Sequence, residues 1–123
     1  MAYIFRKLAG SFRNAFRGIY TISGSQINFR IHLLIVAMVI AGGIVFKISD
    51  GEWIAVILSS GLVLTAECMN TAVEFLGDSI TKDQNPYIRK AKDVAAAGVL
   101  LAAIAAAIAG LMVFFPYVLK LFR

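Results

Sequence analysis

Apolar residues at the start of the chain recur at intervals of three and four positions. They are Ile4, Phe5, Leu8, Phe12, Phe16 and Ile19. The basic residues between them fall on other sides of a helical wheel, so the pattern is that of an amphipathic α-helix. We expect this helix over residues 1–22, lying on a membrane surface. Residues 21–26, which include Gly24, are expected to break it.

Three long apolar runs follow, and each is long enough to cross a bilayer as a helix. They predict spanning helices over residues 31–48, 53–80 and 93–117. Trp53 is expected to anchor the second span at a membrane interface, because tryptophan is enriched at that depth. Residues 81–92 have the composition of a polar loop.

The third apolar run carries a small residue at every fourth position. These residues are Gly98, Ala102, Ala106 and Gly110. Such a stripe permits the close approach of another helix, so we expect it to lie at a helix contact. Pro116 sits where this helix can end.

Composition assigns these helices to one integral membrane domain. The chain has 123 residues, of which 60% are hydrophobic, and its mean hydropathy is +0.83. A soluble fold of this length cannot bury that much apolar surface. We therefore predict an all-α fold in which residues 1–123 form a single membrane domain. Cys68 is the only cysteine, which excludes an intramolecular disulfide.

The net charge of +5 is distributed unevenly along the chain. Basic residues flank the apolar runs and form no stripe beside aromatic residues, which favours lipid headgroups and phosphates over nucleic acid as partners. The segment up to Arg30 carries five positive charges and residues 81–92 carry four. The remaining three are Lys47, Lys120 and Arg123. By the positive-inside rule, the N-terminus and the 81–92 loop are expected to be cytoplasmic.

Polar side chains interrupt the end of the second span along one helical face. At about 100° per residue, Glu67 and Glu74 lie within about 20° of each other, and Asp78 falls near the same line. Asn70 lies between them. Counting about 1.5 Å per residue from Trp53 puts Glu67 roughly 21 Å across a hydrocarbon core of about 30 Å. Ionisable side chains inside a span are costly and mark a functional site, although Glu74 and Asp78 also fit a solvated helix end.

Three segments converge on the cytoplasmic interface: residues 26–30, the face from Glu67 to Asp78, and the start of the third span. A carboxylate just below the interface can accept a proton from a lipid hydroxyl, and carboxylates at the surface suit Mg²⁺. Lys92 would neutralise charge on a transferring phosphoryl group. Together these features predict phosphoryl transfer from a nucleotide to a membrane lipid. The sequence has no Walker A loop or Gly-rich kinase loop, so the spanning helices must form the site.

Two other classes of protein share some of these features. A small proton-coupled transporter or channel subunit also needs membrane carboxylates, but near the middle of the bilayer instead of at one interface. A purely structural membrane subunit would explain the small-residue stripe and leave the carboxylates unexplained. His32, the only histidine, fits an interfacial or hydrogen-bonded residue better than a metal ligand, because no cysteine cluster accompanies it.

The segment from Glu67 to Glu74 reads Glu-Cys-Met-Asn-Thr-Ala-Val-Glu. It resembles the Glu-x-x-Asn-(Ser/Thr)-Ala-x-Glu signature of the bacterial integral-membrane diacylglycerol kinases and undecaprenol kinases. The segments Asn28-Phe29-Arg30 and Ala91-Lys92-Asp93 agree with this resemblance. It implies a homotrimeric lipid kinase of the bacterial plasma membrane, which uses ATP and Mg²⁺ in active sites shared between subunits. The residues from Asn28 to His32 are similar to those of the Gram-positive branch, which favours undecaprenol as the lipid and leaves diacylglycerol as the alternative.

The resemblance also implies roles for individual residues. Glu67 is then the catalytic base, Asn70 orients the site and Glu74 binds the metal ion. The residues implied at the nucleotide are Glu74, Lys92 and Asp93, with Asn14, Asp83, Gln84 and Asn85 added from their spacing alone. Those implied at the lipid substrate are Asn28, Phe29, Arg30 and Glu67.

Gln26 is a departure from the family pattern. It stands two residues before Asn28, where the family has a glutamate that shares metal binding with Glu74. An amide can coordinate a metal ion through its oxygen but contributes no charge. We therefore expect lower affinity for Mg²⁺ and for its ATP complex, and lower activity, than a glutamate would give.

Overall fold

Four α-helices make up the part of the chain that the computed structural model describes, which is residues 1–81 and 83–122. They are α1 (Ala2–Ser25), α2 (Ile27–Phe46), α3 (Asp50–Ile80) and α4 (Pro86–Leu121). Helices α2, α3 and α4 are each long and apolar enough to cross a membrane. The all-α class and the three long apolar helices predicted from the sequence are thus confirmed. Lys82 and Arg123, two of the charges in the orientation argument, lie outside the described residues.

The junction between α1 and α2 is shorter than the sequence predicts. A break is predicted over residues 21–26, but α1 continues to Ser25 and only Gln26 is extended. Three hydroxyl groups in this stretch donate hydrogen bonds to carbonyl oxygens four residues earlier, which satisfies them without interrupting the helix. The first span therefore begins at Ile27 and not at residue 31.

Helix α4 begins earlier than predicted, because Asn85 and Pro86 start it. The sequence pattern predicts a loop up to residue 92. In the structure, however, the Asn85 side chain accepts hydrogen bonds from the backbone N–H groups of Tyr87 and Ile88, at 2.9 and 3.3 Å. Asparagine at the N-cap and proline in the first turn both favour helix initiation. The connection from α3 therefore ends at Asn85.

Helix α4 also continues past Pro116, where the sequence predicts that it can end, and reaches Leu121. Tyr117 holds the turn after the proline against the rest of the chain. Its hydroxyl donates to Glu52 Oε2 at 2.8 Å, and the centre of its ring lies 5.8 Å from that of Phe46. Proline in a spanning helix is tolerated where neighbouring helices support the backbone.

A tight turn over residues 47–49 joins α2 to α3. Lys47 ends α2 in the left-handed conformation, with φ 52° and ψ 51°. Ser49 and Glu52 then form a capping box, in which each side chain accepts a hydrogen bond from the other residue's backbone N–H. A Cβ on Gly43 would lie 2.6 Å from the Trp53 ring, so only glycine lets that ring pack against α2. The turn and the packed ring fix α2 and α3 as a hairpin.

The best-packed apolar cluster lies near this turn, at the end of the fold away from Glu67 and Glu74. Its buried members are Ile48, Val56 and Val113. Half-buried side chains, including Phe46 and Phe114, surround them. Most other large apolar side chains are exposed along the helices, as lipid-facing side chains would be. The α3–α4 contact is the most extensive between any two helices of the described chain.

The small-residue stripe of α4 makes only part of the predicted contact within one chain. Ala102 is buried at 6% exposure, but a Cβ added to Gly98 or Gly110 would meet no heavy atom within 4 Å. The close helix approaches occur instead at Gly42, Gly43 and Gly77, where an added Cβ would lie 2.6–3.3 Å from a neighbouring side chain.

Replacing Ala102 by leucine is expected to lower stability by about 1–3 kcal/mol or to loosen subunit assembly, because the larger side chain has no space at a buried position. Thermal melting and the oligomer distribution in detergent measure both effects. Gly98→Ala is the matched control, since that position faces open space within the chain. Unaltered melting and assembly of the Ala102→Leu protein would place the stripe against lipid.

Candidate active site

The polar face predicted on α3 is present, and its deepest member is buried. Glu67 is only 3% exposed and Thr71 is 4% exposed, and they are the buried polar residues of the described chain. Phe29 on α2 and Val63 on α3 are also buried, at 3% and 5% exposure. A carboxylate inside an apolar span is costly to keep, so its presence indicates a functional site.

Glu67 meets a histidine from the neighbouring helix. His32 Nε2 lies 3.4 Å from Glu67 Oε1, and the histidine side chain is 21% exposed. The sequence predicted an interfacial or hydrogen-bonded histidine, and did not predict its contact with Glu67. The sequence did contain a signal for this contact. His32 is the ionisable residue within the apolar part of α2 and lies near the start of the first span, whereas Glu67 lies near the end of the second span. Both residues are therefore expected near the same side of the membrane.

Glu74 binds two amide side chains. Its Oε1 accepts a hydrogen bond from Asn70 Nδ2 and its Oε2 accepts one from Gln26 Nε2, each at 3.1 Å. Gln26 is the extended residue between α1 and α2, so the break between these helices delivers its side chain to α3. The predicted proximity of the 26–30 segment to Glu74 is therefore present.

This cluster of Gln26, Asn70 and Glu74 offers oxygen atoms that could coordinate a hard cation. Asn70 Oδ1 is buried and has no hydrogen-bond partner, which is costly unless a ligand or water satisfies it. Carboxylate and amide oxygens are the ligand types that Mg²⁺ takes. Among the described residues, no group of three or more His, Cys, Asp or Glu side chains could hold a metal ion. A cation here would therefore need further oxygen ligands, such as nucleotide phosphates.

Asp78, the third carboxylate of the face, forms an ion pair with Lys92 of α4. The helices come close here because Gly77 has no side chain. A Cβ at that position would lie 2.8 Å from Ile88 and 3.0 Å from the Lys92 side chain. The pair is largely solvent-accessible, so it contributes little to stability. Its effect is to hold the Lys92 ammonium group one helical turn beyond Glu74.

The other predicted site residues are spread around these contacts. Asn14 lies on exposed α1 and lines a crevice of about 560 Å³ together with Arg17, Cys68 and Thr71, whose hydroxyl is buried without a partner. Asp83, Gln84, Asn85 and Asp93 are exposed. No hydrogen bond or ion pair within residues 1–81 and 83–122 joins any of them to Glu74.

The segment predicted at the lipid lies in the first turn of α2. Phe29 is buried and therefore packs within the chain, whereas Asn28 and Arg30 are exposed. An apolar groove of about 680 Å³ begins at His32 and runs between α2, α3 and α4 as far as Val118. The groove shows that α2 and α4 are not packed together along their whole length, although Phe46 and Phe114 meet near the turn.

Comparisons with known proteins agree on one family. A family model described as prokaryotic diacylglycerol kinase matches residues 13–114. The chain is similar to an undecaprenol kinase from Bacillus subtilis (strain 168), with 35% identity over 106 residues that cover 86% of each chain. It is also similar to a diacylglycerol kinase from Synechocystis sp., with 37% identity over 112 residues that cover 90% of this chain and 64% of the relative.

Proposed function

Since the chain belongs to the prokaryotic diacylglycerol kinase family, we propose that this lipid kinase transfers the γ-phosphoryl group of ATP to the hydroxyl group of undecaprenol. The reaction is proposed to occur at the cytoplasmic face of a bacterial plasma membrane, on the same side as the N-terminus. The observation that carries the proposal is the buried Glu67 carboxylate inside an apolar helix, on the same helix as Glu74 and its amide partners, whose oxygen atoms could bind a cation. The family assignment favours this activity over a transporter or channel subunit.

Glu67 is proposed to act as the general base. Its carboxylate accepts the proton of the lipid hydroxyl while the hydroxyl oxygen attacks the γ-phosphorus of ATP and the bond from that phosphorus to the ADP oxygen breaks. Glu74 is seven positions after Glu67 on α3, which is a rise of about 10 Å. A lipid hydroxyl can thus reach Glu67 from within the bilayer while the phosphates stay near the aqueous surface.

Gln26, Asn70 and Glu74 are proposed to hold Mg²⁺ together with phosphate oxygens of ATP. The hydrogen bonds between these side chains support a common site. The buried Asn70 Oδ1 has no hydrogen-bond partner, which supports its use as a ligand for the ion. Mg²⁺ bound there would offset negative charge on the phosphates during transfer. The protein supplies one carboxylate to this site, so the ion and the nucleotide are expected to bind together.

Lys92 is proposed to contact the phosphates of ATP. The ion pair with Asp78 holds its ammonium group near the proposed metal site, where a cation can stabilise a transferring phosphoryl group. Asp93, Asn14 and residues 83–85 are proposed to complete the nucleotide site, and their exposed side chains are accessible to ATP. Residues 28–30 are proposed to contact the lipid substrate beside Glu67.

We propose that the active enzyme is a homotrimer whose sites are shared between subunits. Support comes from the open groove between α2 and α4 and from the exposed nucleotide residues, which one chain alone does not enclose. The apolar residues of α1, such as Phe5, Phe12 and Phe16, are 64–69% exposed. This exposure supports an amphipathic helix with its apolar face inserted into the membrane surface.

The choice of lipid acceptor is tested by assaying ATP consumption with undecaprenol and with diacylglycerol in the same detergent. Undecaprenol is proposed because the undecaprenol kinase similar to this chain matches it over 86% of both chains, compared with 64% of the diacylglycerol kinase. We expect a higher kcat/KM for undecaprenol. A higher kcat/KM for diacylglycerol would assign the alternative acceptor.

Gln26→Glu is expected to raise activity at limiting Mg²⁺ about ten-fold, because it adds a second anionic oxygen to a site with one carboxylate. The Gln26 amide already lies 3.1 Å from Glu74 Oε2, so the new carboxylate would share a cation with it. Measuring the rate against Mg²⁺ concentration at fixed ATP tests this. The gain should shrink at saturating Mg²⁺ if the glutamine weakens metal binding, and persist if it misplaces the γ-phosphate.

Ser25→Glu is the matched control for added charge, because the neighbouring side chain is exposed and bonds back to α1. It is expected to leave the Mg²⁺ dependence unchanged. If the Gln26→Glu protein has the activity and Mg²⁺ dependence of the parent, position 26 is not a metal ligand in this chain.

A further inference from the structure

The one histidine of the chain contacts the proposed catalytic base from a different helix. His32 Nε2 lies 3.4 Å from Glu67 Oε1, and the Glu67 side chain is only 4% exposed. The proposed metal cluster engages Glu74 and does not include this pair. The family signature, which lies entirely on α3, likewise leaves His32 without a role.

Glu67 needs a partner to present its carboxylate in one orientation. A glutamate side chain has three rotatable bonds and loses considerable conformational freedom when it is fixed. On α3, Val63 lies one helical turn before Glu67 and is apolar, and Thr71 lies one turn after it with a hydroxyl that has no hydrogen-bond partner. The imidazole lies beside Oε1, which leaves Oε2 to receive a proton.

We propose that His32 is a positioning residue for Glu67: the imidazole holds Oε1 of the carboxylate so that Oε2 faces the hydroxyl of the lipid acceptor. The proposal rests on the assignment of Glu67 as the base. His32 is also the first residue of the apolar groove that runs down α2, so it stands where the polar site meets the interior of the bilayer. A group that misplaces a base by about 1 Å can cost on the order of 100-fold in rate.

The first test separates positioning from packing by comparing His32→Ala with His32→Gln. Alanine removes the contact, whereas the glutamine amide can donate from nearly the same place as Nε2. We expect kcat to fall about 10- to 100-fold in the alanine protein, with KM for ATP within about two-fold of the parent. Glutamine should restore most of kcat. A glutamine protein as slow as the alanine protein, or an alanine protein with unchanged kcat, would overturn the proposal.

Val36→Ala is the matched control, because Val36 lies one turn further along α2 on the same groove and carries no polar group. It shortens a half-buried side chain, as His32→Ala does, and is expected to keep the parent kcat. If it loses as much kcat as His32→Ala, packing of α2 explains both results and the positioning role is wrong.

The second test does not depend on turnover. Because the chain has one histidine, its imidazole ¹³Cε1 resonance in the detergent-solubilised protein needs no assignment. Glu67→Gln is expected to shift this resonance, and Glu52→Gln, near the other end of α3, is expected to leave it unchanged. An imidazole signal identical in the parent and Glu67→Gln proteins would show that the contact is absent in solution. If the shift is present but the Glu67→Gln protein remains active, the base assignment fails while the contact stands.

Discussion

Glu67→Gln is expected to lower kcat about 10²- to 10⁴-fold, the range that general base catalysis contributes. Glutamine keeps the shape of the side chain and can hydrogen-bond to His32, but it cannot take up the proton of the lipid hydroxyl. ATP affinity should be nearly unchanged, because Glu67 is buried about 10 Å along α3 from Glu74, the proposed metal-binding carboxylate. Single-turnover phosphoryl transfer and ATP binding, measured on the same preparation, test both parts.

Glu52→Gln serves as the comparison for this variant. It removes a carboxylate charge from the same helix at the end that caps α3. The amide oxygen can still accept the capping and Tyr117 hydrogen bonds, so a small loss of stability is expected. Turnover per folded molecule should stay near the parent value. Equal losses of ATP affinity and turnover in the Glu67→Gln protein would reject Glu67 as the base.

Glu74→Ala is expected to weaken Mg²⁺-dependent nucleotide binding about 100-fold. A close interaction between charges at the protein surface is on the order of a few kcal/mol, and Glu74 is the single carboxylate of the proposed metal site. The substitution also leaves the amides of Gln26 and Asn70 without their shared acceptor. Nucleotide titrations with Mg²⁺ and with EDTA measure the effect, which should be confined to the Mg²⁺ series.

Glu74→Gln separates charge from hydrogen bonding at this position. It keeps an oxygen that can accept from one amide but removes the negative charge, so it should reproduce most of the loss seen with alanine. If either variant binds nucleotide with the Mg²⁺ requirement of the parent, Glu74 does not belong to the metal site.

The helices and the polar face of α3 could be predicted from the sequence because both follow from spacing along a single helix. Glu67, Asn70 and Glu74 are separated by three and four residues, which puts them on one side of any α-helix. Helix ends were less predictable, because they depend on side chains that either cap the backbone or bond back to it. The cap at Asn85 starts α4 earlier, and the hydroxyls after residue 20 bond back within α1, which continues to Ser25.

Contacts between helices could not be predicted in the same way. The pairs His32 with Glu67 and Asp78 with Lys92 depend on how α2 and α4 are rotated and how deep they sit against α3. Small residues mark only possible contacts. Gly77 is a contact because α4 crosses it, whereas Gly110, within the predicted stripe, faces open space in the chain. Sequence spacing therefore predicts which residues share a helix face, and the structure adds which faces meet.

During synthesis, we expect α2 and α3 to enter the membrane as a preformed pair, because the tight turn over residues 47–49 joins them. The left-handed Lys47 and the Ser49–Glu52 capping box involve only neighbouring residues, so they can form before α4 has been made. Four proposed reaction residues, Gln26, His32, Glu67 and Glu74, are already on this pair or at its start. We expect the groups for proton and metal chemistry to be assembled first. Docking of α4 then brings Lys92 to Asp78, so the newly inserted chain gains its phosphate-binding lysine last.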